Sequence, residues 1–475
     1  MIVAVERWNE KVEVDVPDTA DVVVAEPRPE HPALADPLAA LRAALERPYG
    51  MPPLSDLVSP SSRVTIAFDD PLKYGPKYLA VPFLVEYLMG CDVSPTDITL
   101  ISAGGTHDRP PREHFIGLYR GLYPVFSEDF VDRFWPDRFL VHDAEDPSHS
   151  VDMGVSALGD VVEHNRLLVD SDLVIYCGCI LPLVWGGYAG TGAAIGLASA
   201  RSIFSHHRMQ VIGVPESCHS DPRNSLFQRH KDAVMDRIEA FTGKRVFYVE
   251  GVPNPVGGWA GFFAGHFRAL RDDAWRCADE QHVHSSPKYD AIVLGLPRYV
   301  FYGDTRDPLI NLTAAATVAR AWRTAPLLRP GGAMVLMTAC DGHIDPDLHP
   351  SYGEALRLFA STRRAETVEA HFERLRREPR YTDMYRNHHA YHGVHPIWLL
   401  NESQYVLEQA GLLLFAGGKR HEALEAVGAT YAPDFQKAWE LVLAHCGPSP
   451  RTLVLPSYFS QVPMIFNVDA ARDGA

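Results

Sequence analysis

Aspartate, lysine and histidine recur just beyond short apolar runs, and these are the residue types that bind acids and move protons. Asp69-Asp70-Pro71-Leu72-Lys73 follows VTIAF, and Ala103-Gly104-Gly105-Thr106-His107-Asp108-Arg109-Pro110 follows ITLIS. After LVIYCGC come Ile180-Leu181-Pro182 and then the glycine-rich Gly186-Gly187-Tyr188-Ala189-Gly190-Thr191-Gly192. An imidazole with an ordinary pKa of about 6.5 suits His107 to proton transfer, although an exposed loop histidine reads equally well. Asp69 and Asp70 could accept from ribose hydroxyls or cap the helix that follows. The glycine-rich loop could bring backbone N–H groups to a phosphate or be a tight packing turn, and it lacks Walker or Rossmann spacing.

Other histidines and cysteines carry weaker signals. His206-His207 could supply one metal ligand, or be a helix C-terminal pair favoured by the dipole. His388, His389, His392 and His395 offer spacings that could bind zinc, but no nearby glutamate completes a hydrolase pattern. Cys177 and Cys179 lie inside an apolar run, so small buried hydrophobes are the simpler reading than ligands.

The elements that must position these groups follow from hydrophobic patterning. VTIAF (64–68), DITLISAGG (97–105), DLVIYCGC (172–179) and QVIGVP (210–215) read as strands, and YLAVPFLVEYLMG (78–90) as a helix. Nearly continuous apolar strands alternating with helices predict α/β architecture with largely parallel sheets covered on both faces. In such sheets ligands bind beyond the carboxyl ends of the strands, where all three loops fall. A second series begins after CADEQHVHSSPK (277–288), with YDAIVLGLP (289–297) a strand and AAATVARAWRTAPLL (314–328) a helix. RPGGAMVLMTACDG (329–342) reads as turn, strand and loop, SQYVLEQAG (403–411) as a helix and LLLFAGG (412–418) as a strand. The charged segment from Arg363 to Arg380 reads as an exposed helix. Two α/β domains are expected, 1–285 and 286–450, with a ligand cleft between them and a tail, 451–475, returning to the first.

The chain has 475 residues, ample for two cores. Its formal charge of 44 − 60 = −16 argues against a nucleic-acid groove, which needs concentrated Lys and Arg. No apolar stretch reaches the ~20 residues of a membrane helix. The start, MIVAVERWNEKVEVDVP, alternates like a strand and lacks signal-peptide order. With seven scattered cysteines, the expected compartment is the cytoplasm. The expected partner is a small molecule, with oligomeric state left open.

Taken in order, these segments resemble the nickel-dependent lactate racemase family. The likeness runs from residues 69–73 through GGTHDRP, HDAEDP (142–147), EHNRLLVDSDLVIYCG (163–178) and the glycine-rich loop to His206-His207. It continues through ESCHSDPRNSLF (216–227), AGFFAGH (260–266) and NLTAAATVARAWRTAPLLRPGG (311–332). The resemblance implies a nickel-pincer nucleotide, with His207 matching the metal ligand, His107 one proton-shuttling base and Asp70 the acidic residue of the first loop. Lys73 stands where the family has an arginine and cannot reproduce its bidentate clamp. Asp69, Thr106, Gly190, Thr191 and Gly192 would then hold the cofactor. Where the family's second histidine follows proline this chain has Pro182-Leu183, and where its tether lysine closes the glycine loop the chain reads Gly190-Thr191-Gly192-Ala193-Ala194. Thr313, Ala314 and Thr317 occupy positions of a tyrosine, a glutamine and a lysine. The expectation is a divergent isomerase-like enzyme for a 2-hydroxy acid or related polar metabolite, its cofactor held without a covalent tether. The same fold with nickel-independent lyase, isomerase or hydrolase chemistry, or a non-catalytic metabolite binder, stands beside it.

Overall fold

A computed structural model describes residues 1–469 except Val184, Trp185 and Ala189, and the side chain of Leu183 is also outside it. Ala189 of the glycine-rich loop and residues 470–475 of the expected tail therefore lie outside the described residues.

Six strands build the first sheet, in the order Trp259–Gly265, Phe247–Pro253, Leu173–Cys179, Val64–Asp69, Ile98–Ala103, Phe139–Val141. All pairings are parallel except that of the Trp259–Gly265 edge. Val64–Asp69 and Leu173–Cys179 are buried at every position, which is what a strand covered on both faces requires and why their sequences show no polar alternation. Numbered along the chain, the order is 6-5-4-1-2-3, so the direction of winding reverses between Val64–Asp69 and Leu173–Cys179. Such a reversal leaves a crevice beyond the strands' carboxyl ends. Register sharpens this: Asp69 pairs with Ala103, and Cys177 with Phe68. The central strands end almost level, and their loops emerge side by side.

The second sheet contains Tyr289–Pro297, Leu328–Met337, Ala410–Ala416 and Thr430–Ala432, all parallel. Three N-terminal strands, Ile2–Trp8, Glu10–Asp15 and Asp21–Val22, also join it, although the expected boundary assigned residues 1–285 to one domain. Thr452–Leu455 pairs with Tyr289–Pro297 in this sheet too, whereas Ile465–Val468 pairs with Val283–Ser286 and Trp322–Arg323. The tail thus divides between neighbours, and sheet pairing crosses the expected division at both ends of the chain.

Three local expectations differ from the structure. QVIGVP is no strand: Met209–Ile212 is a helical turn, and a 3-10 turn follows at Pro215–Ser217. Four apolar residues are too few for period to tell a strand from a buried turn. The helix expected over 314–328 lies at Pro308–Ala319, started by Asp307, whose side chain accepts from Leu309 N. The Arg363–Arg380 segment is split into helices Ala365–Glu369, Phe372–Arg377 and Pro379–Asn387, with Val368, Phe372 and Leu375 buried. Its charges hide an apolar stripe, each such side chain contributing about 1.5–3 kcal/mol on burial. No helix among the described residues is long and apolar enough to cross a membrane.

Candidate active site

The three loops after the central strands meet in one cavity of about 880 Å3. Asp69 and Lys73 line it from the first loop, Thr106 and His107 from the second, and Gly190 and Gly192 from the third. The opposite wall comes from the end of Tyr289–Pro297, through Arg298 and Tyr302, and from the helix His395–Gln409, through His395 and Trp398. Three cationic side chains (Lys73, Arg120 and Arg298) line it against one carboxylate, Asp69, in a chain of net charge −16. That contrast favours an anionic ligand.

Asp70 stands behind the lining rather than in it. Its Oδ2 meets His107 Nδ1 at 2.6 Å, with Asp70 almost wholly buried and His107 partly open. Burial works against the carboxylate, but His107, then Lys73 and Lys77, hold Asp70 below the usual range. With Asp70 ionised, Nδ1 must carry the proton, and Nε2 becomes the basic nitrogen of His107. Local backbone makes this approach possible. His107 N donates to Gly104 O at 3.0 Å, and Gly105 sits at φ +57°, where a side chain would press on Ile195 O at 3.1 Å.

Asp69 accepts from Tyr176 Oη at 2.8 Å and lies 3.7 Å from Lys73 Nζ. Burial alone would lower the Lys73 ammonium's pKa, but Asp69 and Asp70 raise it above its ordinary value, so it remains a cation. Gly192 is glycine for a packing reason, because a Cβ there would come within 2.4 Å of the Tyr176 ring. Thr191 does not line the cavity: its hydroxyl donates to Gly190 O and accepts from Gln228. The Thr106 hydroxyl accepts from Trp398 Nε1 at 3.0 Å, which ties the second loop to the opposite wall.

His207 ends the helix Ala200–His207, and its ring lines the cavity with Nδ1 at 3.2 Å from Ile203 O. Burial pushes its pKa down to about 3, so it is a neutral imidazole, the form that ligates metals. Its neighbour His206 is buried and outside the lining, as is His164, whose Nε2 contacts Ala194 O. Neither supplies a second base to the cavity.

The cluster of four histidines does not assemble. His388 pairs with Asp383 at the surface, His389 meets Arg109 O and His392 meets Glu145, while His395 alone enters the cavity. Among the described residues no group of three His, Cys, Asp or Glu side chains could enclose a metal. His395 packs edge-on to His107 with ring centroids 5.5 Å apart, and its Nδ1 is 2.7 Å from Tyr352 Oη. Burial keeps it neutral.

Two further groups escaped sequence reasoning. Lys231, on the helix Leu226–Thr242, places Nζ 3.2 Å from Gly190 O and 3.4 Å from Tyr188 O. Glu250, inside Phe247–Pro253, lies against the glycines of the wall: a Cβ at Gly178 would be 2.6 Å from its Oε2. Burial raises the Glu250 carboxyl well above its usual range. A glutamate amid FYVEGVP was a readable anomaly. A lysine on a helix was not, since most such lysines are solvated.

Comparison with known proteins gives a consistent picture. The family model for the lactate racemase N-terminal domain matches residues 9–219. A lactate racemase from Thermoanaerobacterium thermosaccharolyticum is 26% identical over 306 residues, covering 64% of this chain and 66% of that protein. The chain's match therefore spans just under two thirds of that relative. The structure of the lactate racemase apoprotein from the same organism matches with a TM-score of 0.73 at 18% identity, covering 98% of this chain and 100% of that one. A protein from Thermotoga maritima matches with a TM-score of 0.56 at 15% identity, over 91% and 98% of the two chains. At those identities the two structures speak for the fold.

Proposed function

Because the chain is a divergent, lactate racemase-like protein, we propose that its cavity is the active site of an enzyme acting on a 2-hydroxy acid or a similar small polar acid. The observation that carries this reading is the Asp70–His107 pair opening onto a cation-lined cavity. Lys73 and Arg298 would hold the substrate carboxylate. His107 Nε2 would take the hydroxyl proton, and Asp70 would stabilise the imidazolium that forms, a contribution of typically 10²–10⁴-fold from such a base. Tyr302 and His395, packed on the His107 ring at centroid distances of 5.1 and 5.5 Å, keep it from turning away.

The nickel-pincer nucleotide implied by the family fits this chain in part. His207 is neutral and lines the cavity, so it is the residue that would hold the nickel. The glycine-rich loop has no lysine, so the loop itself supplies no tether. When bound, such a group supplies a hydride acceptor. Racemisation also needs a proton acceptor on each face of the substrate carbon, yet His395 touches His107 and crowds the same side. One-sided proton transfer therefore suits a reaction on one enantiomer, and nickel-independent lyase or isomerase chemistry is the second reading it favours. We place the enzyme in the cytoplasm and read the chain as two α/β domains divided near residue 285, with the first three strands belonging to the second.

Purification from a host that makes the nickel-pincer nucleotide, followed by nickel analysis and native and denatured mass, tests the cofactor. Stoichiometric nickel that His207→Ala abolishes supports the first reading. Absent nickel, together with turnover or binding of 2-hydroxy acids, moves the function to the second. Failure of any 2-hydroxy acid to bind sinks both.

A further inference from the structure

Lys231 is an unusual lysine. It is 1% exposed, its amine lines the cavity, and its hydrogen bonds run to the carbonyls of Tyr188 and Gly190. No carboxylate among the described residues forms an ion pair with it, and Nζ lies over the Phe227 ring, 5.5 Å from its centre. A buried ammonium without an anion is costly, and a neutral amine resolves the cost. Neutral NH2 has two N–H groups and one lone pair. The two carbonyls accept both N–H groups, which turns the lone pair away from them. Burial lowers the pKa of Lys231 to about 8, in the same sense as the geometry. Burial likewise pushes the nearby Glu250 carboxyl well above its usual range.

We infer that Lys231 is a nucleophilic amine that forms an imine with a 2-oxo acid bound in the cavity. The amine nitrogen attacks the carbonyl carbon and a C–N bond forms. The C–O bond then breaks, and the carbonyl oxygen leaves as water with the two amine protons. No oxidant or reductant is required. The cations Lys73, Arg120 and Arg298 suit the carboxylate of such a ligand, which differs from a 2-hydroxy acid only in the oxidation state of one carbon. The glycine-rich loop lacks a lysine of its own, and this helix delivers one to the loop from 41 residues away in sequence. The choice of ligand rests on the acid-binding reading of the cavity, while the reactivity of Lys231 does not.

The test treats the full-length protein with glyoxylate and cyanoborohydride, then maps the carboxymethylated lysines by peptide mass spectrometry, with and without excess lactate. The expected result is labelling of Lys231 ahead of the exposed Lys11, Lys419 and Lys437, with at least tenfold protection by lactate. Labelling without protection upholds the amine and sinks the hydroxy-acid reading. An unlabelled Lys231 beside labelled surface lysines overturns the inference, whatever lactate does. Lys231→Arg can still donate to both carbonyls but cannot form the imine, so a folded K231R protein that retains lactate binding but loses the label separates nucleophile from structural strut. Loss of lactate binding in that variant would instead assign Lys231 to holding the loop.

Discussion

Two corners of one cavity keep buried ionisable groups by opposite means. At the first, Asp70 and His107 meet at 2.6 Å, and the histidine holds the carboxyl below its ordinary range despite burial. At the second, Lys231 and Glu250 are equally buried but make no ion pair with each other, and burial drives both toward their neutral forms. Contact decides the outcome: a direct partner offsets desolvation, while groups that make no ion pair leave burial to dominate. The first corner is suited to accepting a proton and sharing the charge. The second is suited to presenting an uncharged nucleophile.

The largest way to break this comparison is at the first corner. His107→Gln retains a side-chain donor for Asp70 but removes the base, so kcat for a turned-over acid should fall by about 10²–10⁴-fold with the fold intact. Unchanged steady-state turnover would remove His107 from the chemistry. Stability sharpens the second corner. Lys231 has a folded pKa of about 8, below its unfolded value, so the unfolded chain binds the extra proton between roughly pH 8 and 10. Stability from this group is therefore lost as pH falls through that window and regained as pH rises, by roughly 3 kcal/mol in all. Urea unfolding at pH 7 and pH 10 should show a rise that Lys231→Met abolishes, and an equal rise in the variant would mean the amine is charged. Asp70 runs the other way: its stabilisation is present above the ordinary carboxylate pKa and lost as pH falls through its depressed value. A smaller effect probes the wall joining the corners. Gly192→Ala would force a Cβ into the Tyr176 ring, which holds Asp69 by its hydroxyl, and should cost about 1–3 kcal/mol by denaturant titration. Wild-type stability in that variant would show that the loop yields easily.

Much of this arrangement was legible in local sequence. Apolar runs without alternation marked Val64–Asp69, Ile98–Ala103 and Leu173–Cys179 as buried parallel strands, and their polar successors marked the rim. His107 and Lys73 could be picked out because each lies a few residues beyond such a strand. The short runs failed, as QVIGVP did, because one helical turn and half a strand carry the same pattern. Thr191 shows a related limit: a loop's sequence places its backbone near a site but does not aim its side chains, and this hydroxyl turns to Gly190 O.

From sequence alone came the α/β class, the strand-end loops and the histidine at the second of them, since each depends on neighbours along the chain. Only the tertiary structure decided that His395 joins His107 while His388, His389 and His392 do not, and that Lys231 reaches a loop 41 residues away. It also decided that the first strands complete the second sheet. Burial and pairing between distant segments set those outcomes, and with them which groups keep their charge.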